Sequence, residues 1–317
     1  MTQDKLQHAL QLLDAGNREG LEPIRELAMA GNPHAVFTLA RLTWTGNMLP
    51  QDPRRGRLLF EYAASSGHTQ ANLLVTNLLA SGVAGPRDWP AGLERLAVEA
   101  RQLPERRAAL ALVQAMTLDG NGDPIRDPAA ERLGDQPDLR LFRGLITPVE
   151  CDYLMRVADP LFQPSMVYNN EGQEVRDTIR TSEGAGIYWL AEDPAIHALN
   201  RRVAKATGTS YEQGEPLQVL RYSPGQEYRP HFDYLQGSDN PRPWTALIYL
   251  NEDYEGGATR FVQTGHEVRG RTGDVLVFGN SDGKGAREPL AQHAGMPVTS
   301  GVKYLATRWI RERRHIP

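Results

Sequence analysis

The residues best suited to chemistry lie in the stretch Gln226–Tyr234, where His231 and Asp233 are separated by a single residue. Successive side chains of a β-strand point to opposite faces, so residues i and i+2 share a face, and these two would converge from one strand. One imidazole and one carboxylate are two thirds of the 2-His-1-carboxylate set that holds Fe(II) in oxygenases and leaves coordination positions open. Alone, a His-x-Asp pair is a weak signal, because a hydrogen-bonded surface pair has the same sequence.

His293 and Lys303 supply the context that the pair needs. His293 follows the loop 279–292, after which a later strand would bring it opposite His231 as the third ligand. Lys303 lies inside the final apolar strand pattern, and a lysine is rarely buried without a partner. A dicarboxylate co-substrate would provide the anion. Arg308 is offset from Lys303 by an odd number of residues, so we expect it on the opposite face, at the surface.

The elements around these residues are mostly short strands. Thr147, Pro148 and Glu150 have the residue types of the N-cap, N1 and N3 positions of a helix that runs to about Ala158, and 194–207 has helical periodicity. Strand patterns then follow at 217–222, 244–250, 258–262, 275–278 and 302–310. Such antiparallel strands are typical of a jelly roll, whose mouth suits a small-molecule site.

The first third of the chain repeats itself. Glycine recurs at 20, 56 and 92, an interval of 36 residues, and alanine recurs at 28, 64 and 100 with the same interval. A period of this length predicts an array of helical hairpins, in which small residues let paired helices approach closely. The pattern resembles Sel1-like repeats, relatives of the tetratricopeptide repeat, on the motifs Ala-Gly-Asn-Pro-His-Ala (30–35), Trp-Thr-Gly (44–46) and Tyr-Ala-Ala-Ser-Ser-Gly (62–67).

We therefore expect an α + β chain of two domains. Residues 1–120 form the Sel1-like helical array, 121–136 a linker, and 137–317 a double-stranded β-helix (jelly-roll) domain with flanking helices. The array would either bind a protein partner or pack on the second domain as a scaffold, and the sequence favours neither.

Composition excludes several classes of function. The net charge is −4 without acidic or basic blocks, so nothing indicates nucleic acid or a membrane surface. The single cysteine, Cys151, rules out an intrachain disulfide, and we expect it to be a buried small hydrophobe. The sequence has neither a signal-peptide pattern nor a stretch of about 18 apolar residues, so the cytoplasm is the expected compartment.

The second domain resembles the prolyl 4-hydroxylase branch of the Fe(II)- and 2-oxoglutarate-dependent dioxygenases. The resemblance spans about 139–314 and rests on runs of matching residues: Leu217–Gln226, Tyr228, His231–Tyr234, Tyr249–Asn251, Gly256–Phe261, Gly273–Asp274, Phe278, His293–Val298, Gly301–Lys303 and Thr307–Arg311. The polar insert Asp282–Arg287 departs from the family pattern.

The resemblance implies a role for each matching position. His231, Asp233 and His293 would ligate Fe(2+), and Lys303 would pair with the distal carboxylate of 2-oxoglutarate. Among further matches, Tyr222 and Thr245 would hydrogen-bond the co-substrate, Arg180, Thr181 and Ser182 would belong to a lid over the substrate, and Tyr234 and Trp309 would border the cleft. L-Ascorbate is a further cofactor in the family.

The expected function is hydroxylation of a peptidyl, most of all a prolyl, residue, with release of succinate and CO2. The partners would be O2 and a protein or peptide substrate recruited by the helical repeats, with no nucleic acid and no membrane. One alternative keeps the chemistry but changes the substrate to another amino-acid residue or a free small molecule. Another is a catalytically idle interaction scaffold, against which the complete set of His231, Asp233, His293 and Lys303 argues. A nucleic-acid demethylase is disfavoured because its co-substrate anchor would be arginine.

Overall fold

The computed structural model describes residues 2–168, 174–176 and 179–317. In these residues the helices are α1 Thr2–Asp14, α2 Leu21–Met29, α3 Pro33–Thr45, α4 Pro53–Ser65, α5 Thr69–Ser81, α6 Trp89–Glu99, α7 Pro104–Ala115, α8 Pro148–Ala158 and α9 Pro194–Thr207. The strands are β1 Glu131–Gly134, β2 Leu139–Phe142, β3 Gln163–Pro164, β4 Met166–Tyr168, β5 Glu174–Arg176, β6 Glu183–Ile187, β7 Leu217–Tyr222, β8 Tyr228–His231, β9 Trp244–Tyr249, β10 Tyr254–Gly256, β11 Thr259–Phe261, β12 Glu267–Val268, β13 Val275–Gly279, β14 His293–Gly295, β15 Val298–Gly301 and β16 Lys303–Ile310.

The chain divides into two compact units. The first comprises 1–114, the short segment Trp189–His197 and Pro317, and the second comprises 115–188 and 198–316. No helix in the described ranges is long and apolar enough to cross a membrane.

The repeated glycines of the first unit lie where one helix crosses the preceding one. A Cβ on Gly56 would lie 3.2 Å from Trp44, and one on Gly92 would lie 3.1 Å from Ala80, at the equivalent place one repeat later. A Cβ on Gly20 would lie 2.6 Å from the carbonyl oxygen of Ala9. These contacts confirm that the periodic glycines allow close helix packing, because a Cβ would clash at Gly20 and would force a neighbour to shift at Gly56 and Gly92.

The second unit is built mainly from two antiparallel sheets. An eight-stranded sheet has the order β1-β2-β13-β9-β16-β7-β6-β3, and a four-stranded sheet has the order β12-β11-β14-β8. Two pairs, β10-β15 and β4-β5, complete the strands of the described residues. The two larger sheets share one apolar core, in which Phe261 of the smaller sheet meets Phe278 of the larger sheet edge to face, with ring centroids 5.2 Å apart.

Several local predictions are confirmed. Helix α8 starts with a complete capping box, in which the Thr147 side chain and the Glu150 carboxylate each bond the other residue's backbone N–H. Helix α9 has the predicted bounds, and the predicted strands are present within one or two residues of their expected ends. Cys151 is fully buried on α8.

Two expectations are wrong in detail. Strand β8 ends at His231, so Asp233 is not on the same strand as the histidine. Arg308 does face away from Lys303, but it is buried rather than at the surface. Its guanidinium donates to the Tyr211 carbonyl at 3.1 Å and lies 4.9 Å from the Tyr211 ring centroid, so a short 3-10 helix covers this face of the sheet.

Candidate metal and co-substrate site

The sheet register brings the two candidate histidines together. In the pairing of β14 with β8, His293 lies directly opposite His231, as expected, and their ring centroids are 4.3 Å apart. Each ring bonds a carbonyl of its own segment through Nδ1: His231 with Arg229 O at 2.8 Å, and His293 with Ala291 O at 3.0 Å. A carbonyl only accepts, so both Nδ1 atoms carry the proton and both Nε2 atoms present a lone pair.

Asp233 completes the cluster from the loop after β8. Its Oδ1 lies 3.7 Å from His231 Nε2 and its Oδ2 lies 3.6 Å from His293 Nε2. One ligand atom from each residue can be chosen so that all lie within 4.8 Å of one another. The carboxylate is fixed by Thr245 on β9, whose hydroxyl donates to Oδ2 at 2.7 Å. Asn280 in turn donates to the Thr245 oxygen at 2.8 Å.

The electrostatics of this cluster fit a bound cation. Burial and the neighbouring His293 lower the pKa of His231 to about 4, so its ring is neutral near neutral pH and able to ligate. Burial alone would raise the pKa of Asp233, but His293, His231 and the Thr245 hydroxyl outweigh it and lower that pKa. Two imidazole lone pairs therefore face a buried carboxylate, an arrangement that a divalent metal ion satisfies and that a hydrogen-bonded surface pair does not show.

Lys303 lies on β16 within the same pocket and is 2% exposed. Its Nζ donates to the Gly257 carbonyl at 2.6 Å and lies 5.5 Å from the ring centroid of Tyr222, its pairing partner on β7. Burial and the nearby charge of Arg269 lower the pKa of Lys303 to about 7. Since no carboxylate is paired with this ammonium group in the described ranges, an anionic ligand would compensate its burial.

A single pocket contains all four residues. Its other walls are apolar side chains, aromatic rings and two threonines, contributed by Leu220, Tyr222, Tyr228, Leu247, Thr259, Gly295, Leu305, Thr307 and Trp309. The alternating residues 303, 305, 307 and 309 of β16 all face this pocket, as the two-residue period of a strand requires. The site therefore joins a cluster of candidate metal ligands to a buried lysine across a mostly apolar cavity.

Thr245 has a different task from the one the resemblance implies. Its single hydroxyl proton is donated to Asp233, and its oxygen accepts from Asn280. It does not line the pocket. In the structure Thr245 therefore contacts the candidate metal ligand Asp233 rather than the pocket, whereas Tyr222 lies on the pocket wall.

The predicted lid residues lie beside β8. Thr181 exchanges hydrogen bonds with the backbone of Glu227 at 2.9–3.2 Å. Ser182 is 2% exposed, and its carbonyl accepts from the backbone N–H of Ser165. The guanidinium of Arg180 lies 5.6 Å from the Tyr228 ring centroid. Of the three, Arg180 is therefore the one placed next to the site.

Tyr228 lies in the site, although the alternation of a regular strand would place its side chain on the opposite face from His231. Its ring stacks on His231 with centroids 3.5 Å apart and an interplanar angle of 12°. Residues three apart on a regular strand point to opposite faces. Here the register shifts, because the three-residue interval from 228 to 231 on β8 lies opposite the two-residue interval from 295 to 293 on β14. This bulge, which contains Pro230, turns Tyr228 to the same face as His231.

Trp309 lines the pocket as expected and is backed by charged residues. The Arg242 guanidinium stacks 4.1 Å from its ring centroid. Glu215 holds Arg242 through two bonds of 2.5 and 2.7 Å and also pairs with Arg311. Tyr234 does not line this pocket, and its hydroxyl instead donates to the Gly285 carbonyl at 2.7 Å.

Comparisons with known proteins agree with this geometry. Residues 217–311 match the family model of the 2OG-Fe(II) oxygenase superfamily. Prolyl 4-hydroxylase 1 of Arabidopsis thaliana is 34% identical over 197 residues, which cover 56% of this chain and 70% of the relative. Prolyl 4-hydroxylase 2 of the same plant is 31% identical over 230 residues, or 63% of this chain and 77% of the relative.

Among solved structures, the 2OG complex of the viral collagen prolyl hydroxylase from Paramecium bursaria Chlorella virus-1 is 26% identical, with a TM-score of 0.43 over 55% of this chain and 95% of that one. The sequence identity to the plant relatives, and the share of their length that this chain covers, show which family the chain belongs to. The chain belongs to the prolyl 4-hydroxylase family of 2OG-Fe(II) oxygenases and is a 2-oxoglutarate-dependent dioxygenase.

Proposed function

We propose that this dioxygenase hydroxylates a prolyl residue of a peptide or protein, with release of succinate and CO2. The observation that carries the proposal is the single pocket in which His231, Asp233 and His293 converge beside the buried Lys303. Two relatives that match over this region are named prolyl 4-hydroxylases, which supports the same substrate here.

The protein's own groups would hold the reactants. His231 Nε2, His293 Nε2 and one Asp233 oxygen would bind Fe(II), which supplies the activation of O2 and oxidation of an unactivated C–H bond when 2-oxoglutarate is bound. Lys303 would pair with the far carboxylate of the co-substrate, and this ion pair would offset the hydration that burial removes from its ammonium group. The apolar walls of Leu220, Leu247 and Leu305 would exclude water from this pair.

Aromatic surfaces beside the metal cluster support a prolyl substrate. The Tyr228 ring lies against His231, and the Trp309 ring borders the same pocket with Arg242 stacked on it. A pyrrolidine ring is apolar and nearly flat, so it packs well on such faces. Arg180 lies over Tyr228 and would close this side of the cleft over the peptide.

Two finer features of the architecture are also proposed. The face-to-face eight- and four-stranded antiparallel sheets support a double-stranded β-helix, and the glycines 36 residues apart at equivalent helix crossings support a Sel1-like repeat array.

We further propose that the helical array recruits the protein substrate. Its groove between α2, α3 and α4 exposes apolar side chains, with Met29 80% and Tyr62 51% exposed. Replacing both residues by serine should raise the KM for a protein substrate and leave the KM for a short peptide unchanged. If the wild type and the double serine variant have equal KM values for a protein substrate, recruitment by this groove is refuted. Substitution is preferable to removing the array, since Trp189–His197 packs within it and Asn77 donates to Leu190 O at 2.8 Å.

The assay of the main proposal measures succinate formed from 2-oxoglutarate in the presence of Fe(II), O2 and proline-containing peptides. The wild type should form succinate, and His231→Ala should not. His266→Ala is the matched control, because His266 is exposed in a loop and bonds Thr264. If the wild type forms no more succinate than His231→Ala with any of the peptides, the proposal is wrong.

A further inference from the structure

Residues 281–287, which connect β13 towards β14, form a closed hairpin that we call the 281–287 hairpin. The backbone N–H of Asp282 donates to Ala286 O at 2.9 Å, and its carboxylate accepts from the N–H groups of Lys284 and Ala286 at 2.8 and 3.0 Å. Ser281 and Arg287 pair as a β-bridge at its base. The insert that departs from the family pattern is therefore a self-organised element.

The hairpin contacts both neighbours of the metal-ligand candidate Asp233. The Tyr234 hydroxyl donates to Gly285 O at 2.7 Å. The Arg287 guanidinium lies 4.1 Å from the ring centroid of Phe232, a cation–π distance. Neither Phe232 nor Tyr234 lines the pocket, so these contacts are made on the outside of the loop that carries Asp233.

Asp233 needs such support because it is not held by a strand. Strand β8 ends at His231, and the pairing with β14 starts at His293, so the ladder stops at the first ligand pair. The Thr245 hydroxyl fixes one carboxylate oxygen, but it does not fix the backbone of the loop. Metal ligands must be held within about 0.5 Å of their working positions by surrounding contacts.

We propose that the 281–287 hairpin is a positioning clamp for Asp233, acting through Tyr234 and Arg287. The inference rests on the metal site proposed above, but it concerns residues that do not line the pocket. With the clamp in place, the carboxylate stays opposed to the two imidazoles. Without it, the loop samples other positions and the metal is held less tightly.

The test measures Co(II) binding to the full-length protein by anaerobic calorimetry and by the visible absorption of the bound ion. Tyr234→Phe removes one hydrogen bond, and Arg287→Ala removes the stacked cation. Supporting contacts of metal ligands typically change affinity by roughly 10–100-fold. Since each of these acts one step further out, we expect Kd for Co(II) to rise roughly 3–10-fold in each variant, with Arg287→Lys recovering part of the loss.

Lys284→Ala is the matched control, because this exposed side chain lies on the same hairpin, which it joins through its backbone N–H. Its Kd and absorption spectrum should equal those of the wild type. Unchanged Co(II) affinity and spectrum in both Tyr234→Phe and Arg287→Ala would overturn the clamp. A higher KM for peptide at unchanged Co(II) affinity would also overturn it, in favour of a substrate contact. Failure of the wild type itself to bind Co(II) would instead refute the metal site.

Discussion

Replacing the buried Lys303 by methionine should stabilise the protein while destroying co-substrate binding. Burial lowers the pKa of Lys303 from 10.5 to about 7, so folding at pH 7.5 must release a proton that the unfolded chain keeps. Three pH units separate the unfolded pKa from pH 7.5, which corresponds to about 4 kcal/mol of lost stability. Methionine has a similar shape and no charge, so it removes this loss.

The substitution also has a cost, because the Gly257 carbonyl loses its 2.6 Å donor. An unsatisfied buried carbonyl costs about 1–3 kcal/mol. The net gain in the free energy of unfolding is therefore about 1–3 kcal/mol, and a domain of 150–250 residues gains roughly 2–4 °C in Tm for each kcal/mol. Differential scanning calorimetry at pH 7.5 without co-substrate should show Lys303→Met melting above the wild type.

The lowered pKa of Lys303 also makes the stability of the protein depend on pH. Between pH 7 and 10.5 the unfolded state binds more protons at Lys303 than the folded state, so this residue makes stability rise with pH. Its contribution between pH 7 and 8 is about 1 kcal/mol, and the variant should lack it. Added 2-oxoglutarate should raise Tm of the wild type only. A variant that melts below the wild type, or that keeps the 2-oxoglutarate shift, would refute the reasoning.

Three further substitutions test other parts of the account. Thr245→Val removes the 2.7 Å bond to Asp233 and should weaken Co(II) binding about tenfold, as followed by calorimetry, whereas unchanged affinity would count against an orienting role. Gly257→Ala adds a Cβ 3.1 Å from Lys303 Cδ at a positive φ of 64°, so KM for 2-oxoglutarate should rise in the succinate assay, and an unchanged KM would contradict the tight fit. Asn77→Ala removes the donor to the Leu190 carbonyl and one of the acceptors of Arg106, and chemical denaturation should show a loss of about 2–3 kcal/mol in the free energy of unfolding. A loss below about 1 kcal/mol would contradict the packing of 189–197 in the first unit.

Much of the site followed from residue types and spacing. Apolar runs in the sequence predicted the buried strands. The sequence also predicted that a later strand brings His293 opposite His231, and the pairing of β14 with β8 has this register. Lys303 stood out because a lysine in an apolar strand pattern needs an anion. The start of α8 was predictable because Thr147, Pro148 and Glu150 lie close together in sequence and have the residue types of the N-cap, N1 and N3 positions.

The features that the sequence concealed depend on geometry between distant residues. The bulge in β8 turns Tyr228 towards His231 against the simple alternation of a strand, and no local pattern specifies it. The single proton of Thr245 is donated to Asp233 rather than to a ligand, which only the distance between two separate segments shows. Arg308 is buried because another part of the chain covers its face of the sheet.

The most direct test of the central claim uses isotope-labelled O2 with Fe(II), 2-oxoglutarate and a proline-containing peptide. Mass spectrometry should find one labelled oxygen atom in succinate and one on the prolyl ring, in equal amounts, and neither with His231→Ala. Label in succinate with none in the peptide, or label on a residue other than proline, would contradict the assignment of this pocket to prolyl hydroxylation.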